Sequence, residues 1–391
     1  MKNAGLNTGL FLFYLLTLLL YWTQLIPGLK GNSILSIFSS MVLIVVTFVY
    51  YVQVIGKKKF DKFDKNLIIV FSILIVGHSV FSKTSFLQAA NIYFAFCLYL
   101  VLPYIEINSK KIYSAILWTL VIITIIGFPS LIVALLNPSN EYLSFSSVFS
   151  SSNSIGDWGC SALLCLLLLE RDEFPKSNKK YYAGLAFLFI VIFASHMRSA
   201  FLVLLAWWLA NYLQKKHWKK GVIYVGLIAA LVAVGGYMVV SEVISPDGKE
   251  NDVEVFGKES SSRGRSEQIF VAFDTFDITP WGVGRGVVNE SVKEDVRYAV
   301  HNAFVASLLE YGWIIFIFYF VYWFRLFKCG PNITTSFILA YHILLFFEPE
   351  NFFSNQFLPF IAFSVTLLAE GEYRKNLKIV QRSLGPEFKN D

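Results

Sequence analysis

GLFLFYLLTLLLYWTQLIP, residues 9–27, runs for 19 positions without a charged side chain. A helix rises about 1.5 Å per residue, so some 20 apolar residues match a hydrocarbon core about 30 Å thick. Such runs recur along the chain. The approximate limits of the others are 34–55, 66–82, 86–104, 112–136, 155–170, 181–196, 199–213, 221–242, 302–324, 333–348 and 353–369. The composition agrees: of 391 residues, 56% are hydrophobic and 15% charged, against about 45–50% and about 25% in soluble proteins. With 38 Phe, 20 Tyr and 9 Trp, a single aqueous core cannot hide the apolar surface. The sequence therefore predicts an all-α, polytopic integral membrane bundle of about 12 transmembrane helices. It forms one membrane domain over 1–370. The first run lacks a small-residue cleavage site around Trp22 to Pro27 and reads as a retained signal-anchor.

Basic residues set the expected orientation, because short cytoplasmic loops collect them. Lys57, Lys58, Lys59, Lys62 and Lys65, then Lys110 and Lys111, then Lys215, Lys216, Lys219 and Lys220 fall in inner segments, all on one side, when the N-terminus is inside. This pattern puts both termini in the cytoplasm, with 371–391 as a polar, basic, solvated tail. The net charge of +6 is thus spread over membrane-flanking segments, and no nucleic-acid partner is expected. Cys97, Cys160, Cys165 and Cys329 fall in spans or an inner loop, so no exported disulfide framework is expected.

One extracytoplasmic segment stands apart, at 243–300. Loops that long are usually functional or disordered. Within it, Gly264 to Phe276 places Ile269, Phe273 and Phe276 at i, i+4 and i+7, which predicts an amphipathic helix on the bilayer or against the bundle. Pro280, Gly282, Gly284 and Gly286 then break regular structure, and GVGRG at 282–286 reads as a flexible backbone turn.

Arginine is distributed unlike lysine. Five of nine arginines (Arg198, Arg263, Arg265, Arg285, Arg297) face outward, but only five of 24 lysines. The loop carries eleven acidic and seven basic residues, so it is no polybasic lipid patch. Guanidinium binds phosphate oxygens bidentately and stays charged at any accessible pH, which suits a diphosphate ligand. Arg198, in HMRS, interrupts an otherwise apolar stretch; it is either a snorkelling cation at a tight turn or part of a site. Arg265 could open an anion site at a helix start or pair with Glu267 or Glu259. His301, followed by Asn302 at the mouth of a span, is either a proton acceptor for a hydroxyl or a structural interfacial histidine. Glu310, nine residues on, points to another face and reads as a bundle partner. His78, Gln88, Asn91 and His342 read as interhelical hydrogen-bonding groups or cavity lining. No HExxH-type metal spacing is present and no metal or cofactor is expected; a GxSxG elbow is absent too, so a nucleophilic serine has no support.

In order, HMRSAFLVLLAWW, RSEQIFVAFDTFDITPWGVGRG and HNAFVASLLEYG resemble the O-antigen polymerase and ligase superfamily of bacterial polysaccharide assembly, over roughly residues 190–325. The resemblance implies metal-free glycan transfer from an undecaprenyl-diphosphate carrier at the outer leaflet of the bacterial cytoplasmic (inner) membrane, with the site facing the periplasm or exterior. It implies Arg198 and Arg265 as diphosphate binders and His301 as general base, with Arg263 the rival of Arg265. Arg263, Arg285 and Asn302 are substrate-binding candidates. The implied partners are the lipid-linked oligosaccharide, membrane lipids and a chain-length regulator protein. The ligase-like spacing after His301 and Asn302 is met through Gly312 but ends in Ile315, and the step from Arg265 to His301 is short for a ligase. Polymerase therefore leads, with ligase second. A lipid-linked glycan transporter would favour inverted repeats and broken midplane helices, and a scaffold would leave the outward arginines unexplained.

Overall fold

The computed structural model describes residues 2–26, 28–56, 60–137, 143–149, 152–170, 179–215, 254–255, 258–259, 263–296, 300, 302–328, 333–345 and 357–383. Among them the chain forms α1 (Lys2–Trp22), α2 (Ser33–Gly56), α3 (Lys62–Phe81), α4 (Phe86–Val101), α5 (Ser109–Ile126), α6 (Phe128–Leu136), α7 (Ser152–Glu170), α8 (Lys179–Ala194) and α9 (Arg198–Lys215). After a two-residue antiparallel pair, β1 (Glu254–Val255) and β2 (Lys258–Glu259), come α10 (Arg263–Thr275), α11 (Val287–Val296), α12 (Ala303–Lys328), α13 (Ile333–Leu345) and α14 (Phe357–Ser383). Among the described residues, six helices are long and apolar enough to cross a membrane: Asn3–Trp22, Ser33–Gly56, Lys62–Phe81, Phe86–Tyr104, Ser109–Ile126 and Ala303–Trp323. The runs at 155–170 and 199–213 correspond to shorter apolar helices. The run expected at 221–242 lies outside the described residues.

Burial on α2 is inverted relative to a soluble helix. Ile34, Ile37, Met41, Val45, Phe48, Val52 and Ile55 form an exposed stripe at helical spacing. The opposite face buries Ser39, Ser40 and Thr47 beside Leu43, Val46, Tyr50 and Val54. In water that stripe would cost about 25 cal/mol per Å². Against lipid it costs nothing, and small hydroxyl residues facing inward are what helix pairs in a bilayer use. The chain is a helical membrane protein. Deepest in the bundle lies α7, where Ile155, Trp158, Cys160, Leu164 and Cys165 are all buried and α5, α8, α9 and α14 pack around it.

A polar collar ties the chain-terminal end together. Asn7 and Gln53 exchange amide hydrogen bonds of 3.0 and 2.9 Å, the Asn7 carbonyl accepts from the Tyr50 hydroxyl (2.6 Å), and Asn108 N–H donates to Thr8 (2.9 Å). Tyr104 donates to Asp64 and accepts from Arg374 (3.0 Å), which also pairs with Glu370. Ser109 donates to Glu372. The last helix therefore runs on past Gly371, which lies against Pro103. The beginning of the expected solvated tail is instead an extension of the bundle.

Two expected spans are broken. The run at 112–136 divides at Gly127 because Pro129 has no N–H to give the Ile125 carbonyl. Near the break, the Ser147 hydroxyl adds a second hydrogen bond to the Ile123 carbonyl (2.7 Å), which also accepts from Gly127 N–H (3.0 Å). The run at 302–324 is interrupted at Gly312, whose φ of 81° and ψ of 164° leave the helical region.

Candidate functional site

The elements of the long loop dock on the bundle through a small second core. Ala272 of α10, Val288 and Val292 of α11, Val300, and Leu309 of α12 are fully buried together, with Ile269, Phe276, Val283 and Val305 at the margin. The amphipathic helix thus faces the protein. Its contact face is Ile269, Ala272 and Phe276; Phe273, expected on that face, is 41% exposed. Ala272 takes the middle position of the face, packed with the α11 valines Val288 and Val292, while Ile269 and Phe276 keep theirs.

GVGRG is not a flexible turn. At Gly312 the α12 backbone opens, and the carbonyls of Leu309 and Glu310 lose the N–H partners that a continuous helix would supply. The loop replaces them: Val283 N–H donates to Leu309 O and Gly284 N–H to Glu310 O, both at 3.0 Å, while Trp313 N–H turns to Thr279 O at 3.2 Å. Leu309 and Glu310 are buried, and a buried backbone group left unsatisfied costs about 1–3 kcal/mol, so the kink and the loop each require the other. The approach is too close for side chains. A Cβ on Gly282 would meet the Glu310 backbone, and one on Gly312 the Pro280 backbone. Both glycines also sit at positive φ, 71° and 81°, where other residues are strained.

The far side of the same loop is held by α3 and the start of α4. Lys83 N–H donates to Val283 O (3.1 Å), and Arg285 N–H to the Thr84 hydroxyl (3.1 Å). Thr84 Oγ1 in turn lies 2.7 Å from His78 Nε2, and His78 Nδ1 lies 2.6 Å from Trp281 O. A carbonyl only accepts, so Nδ1 carries the proton. In the neutral ring Nε2 then accepts from Thr84. The Trp281 ring stacks on Phe81 and lies over Gly77, where a Cβ would come within 2.5 Å of it. Arg285 is half-buried and interacts electrostatically with the buried Tyr311, next to the fully buried Glu310.

Asn302 caps α12: its Oδ1 accepts the N–H groups of Phe304 and Val305, both at 3.0 Å. On the other side of position 301, Val300 N–H donates to Asn289 Oδ1 (3.0 Å). Both neighbours of His301 are therefore pinned, although His301 itself and Arg297 lie outside the described residues. Arg198 is the first residue of α9, and Arg263 and Arg265 open α10; their side chains also lie outside the description. The turn before Arg198 is tightly built. His196 adopts φ 54°, the Ser195 hydroxyl donates to Ile192 O (2.7 Å) and accepts from Met197 N–H (3.3 Å), and Phe145 N–H reaches Ala194 O (2.9 Å). Under this turn lies Gly156, and the neighbouring Asp157 carboxylate accepts from the Tyr341 hydroxyl (2.9 Å). The second core joins the helix of Arg265, the segment after Arg285 and the helix that Asn302 caps; Arg198 stands on a separate element.

Several polar residues have jobs that the sequence does not announce. Thr84, Asn289 and Asp157 gain partners about 200, 11 and 184 residues away. Gln88 forms the capping box of α4 with Ser85 instead of an interhelical bond. His342 does bond between helices, to Tyr319 at 2.8 Å. Among the described residues, no group of three or more His, Cys, Asp or Glu is placed to hold a metal ion. No curated protein matches the chain. Residues 183–320 match the family model described as O-antigen ligase, which supports placing the chain in the O-antigen polymerase and ligase superfamily.

Proposed function

From the O-antigen ligase match over residues 183–320, we propose that this protein transfers glycan from an undecaprenyl-diphosphate carrier at the outer leaflet, polymerising lipid-linked repeat units. The observation that carries the reading is the junction at Gly312. There the backbone of Val283 and Gly284, next to Arg285, is fastened to the helix whose first turn Asn302 caps, which supports a fixed position for the loop that bears one candidate cation.

In the proposed step, an acceptor hydroxyl attacks the anomeric carbon while the bond from that carbon to the diphosphate oxygen breaks. The leaving diphosphate takes the electron pair, and the hydroxyl proton passes to His301. Back-side attack inverts the anomeric centre. Arg198 and Arg265, with Arg285 and Arg263 as supporting cations, stabilise the charge that develops on the diphosphate, as preorganised donors do in a water-poor site. Asn302, through its cap, sets the direction of α12 below His301. The apolar bundle accommodates the polyprenyl chain.

Replacing Arg198, Arg265 or His301 by Ala should each shorten or abolish the polymer seen on a glycan gel, at normal expression. Loss of one preorganised charge or base costs about 100-fold or more in rate. Unchanged polymer from all three variants overturns the assignment. The printed description of the matching family favours a second reading, transfer of finished glycan onto a lipid A-core or another acceptor. The two part on deletion: a lost polymerase leaves single-repeat glycan, and a lost ligase leaves long lipid-linked polymer.

A further inference from the structure

We propose that His78 and Thr84, from a helix and turn some 200 residues away in sequence, are positioning residues that hold Arg285 against the donor diphosphate. The inference rests on the assignment of Arg285 to that diphosphate. Four groups form one chain of hydrogen bonds: Arg285 N–H to Thr84 Oγ1 (3.1 Å), Thr84 O–H to His78 Nε2 (2.7 Å), and His78 Nδ1–H to Trp281 O (2.6 Å). The imidazole and hydroxyl thus grip residues 281 and 285, the two shoulders of the glycine turn. Between them, Val283 and Gly284 are fastened on the opposite side to Leu309 and Glu310 of α12.

The clasp is buried: His78 is 0% and Thr84 6% exposed. It also has no slack. Gly284, at φ 114°, has the Lys83 and Thr84 backbone 3.0 Å from where a Cβ would stand. A loop free to swing needs none of this; a loop that must present one guanidinium at one place needs all of it. Neither His78 nor Thr84 touches the substrate. They act through the backbone of Arg285, and removing the Thr84 hydroxyl leaves that N–H without its acceptor in a partly buried setting.

The test is a double-mutant cycle on the full-length protein in detergent, with lipid-diphosphate-linked glycan as donor. Thr84→Val should raise the donor KM by about tenfold, within the roughly 100-fold that small misplacements cost, and leave the acceptor KM unchanged. Thr84→Ser, which keeps the hydroxyl, should return the donor KM to the wild-type value. In an Arg285→Ala background, Thr84→Val should add nothing further, because the residue it positions is gone. Additive losses, or a wild-type donor KM in folded Thr84→Val, overturn the positioning role while leaving Arg285 as a ligand. A wild-type donor KM in Arg285→Ala removes the premise, and the positioning role with it. A second measurement needs no variant: amide exchange across 282–285 in the wild type should be as slow as in α12, and fast exchange there overturns the clasp.

Discussion

The two helix breaks, at Gly127 and at Gly312, solve the same problem in opposite ways. At Gly127 the cause is local: Pro129 withholds an N–H, and one hydroxyl, Ser147, adds a bond to the nearby Ile123 carbonyl, which Gly127 N–H still serves. At Gly312 no proline is present. The helix opens because Val283 and Gly284 supply the hydrogen bonds its carbonyls need, while the freed Trp313 N–H finds Thr279. A break caused by its own sequence is a bend. A break made for a visiting segment is a joint, and the second kind is the one beside the candidate site.

Substitutions at the two breaks should separate them. The largest effect belongs to Gly312→Val, which combines positive-φ strain of about 1–3 kcal/mol with displacement of the Pro280 backbone. It should remove the folded protein, or lower its thermal unfolding midpoint steeply, and abolish glycan transfer; a fully active, equally stable variant would contradict the joint. Gly127→Ala should be milder, at about 1–3 kcal/mol. Its φ of −88° is open to alanine, and the crowding is mainly with the side chains of Ser147 and Phe145. Ser147→Ala should be smallest, about 1 kcal/mol from one hydrogen bond, with glycan length unchanged on a gel. If Ser147→Ala proved as damaging as Gly312→Val, the distinction between bend and joint would fail.

The same distinction explains what could be read in advance. The charge-free runs mark the first five spans because hydrophobic length is a property of neighbouring residues; α2 to α5 start close to where their runs do, whereas α1 starts at Lys2, ahead of the run at 9–27. Pro129 lies inside the run read at 112–136, where the apolar stretch on both sides makes one long span of it. The joint was not legible. Glycines at 282, 284 and 286 look alike whether they give freedom or allow close approach, and only the carbonyls of Leu309 and Glu310 decide between the two. The proposed site rests on the order of Arg198, Arg265 and His301, which the sequence displays because each lies within its own contiguous motif. His78 could be seen only as a polar residue in an apolar span, since its partners Trp281 and Thr84 come from either end of a 203-residue separation and a turn. Asn302 was readable as a polar residue beside a histidine, and its cap bonds add a local role that any Asn before a helix can take.

The most direct trial of the proposed activity is turnover by the purified protein in detergent, with two lipid-diphosphate-linked repeat units, a metal chelator and no membrane gradient. The account predicts a lipid-linked dimer, one polyprenyl diphosphate released for each new glycosidic bond, an inverted anomeric centre, and loss of all three with His301→Ala. Donor left intact under these conditions, or product formation undiminished by His301→Ala, would contradict it.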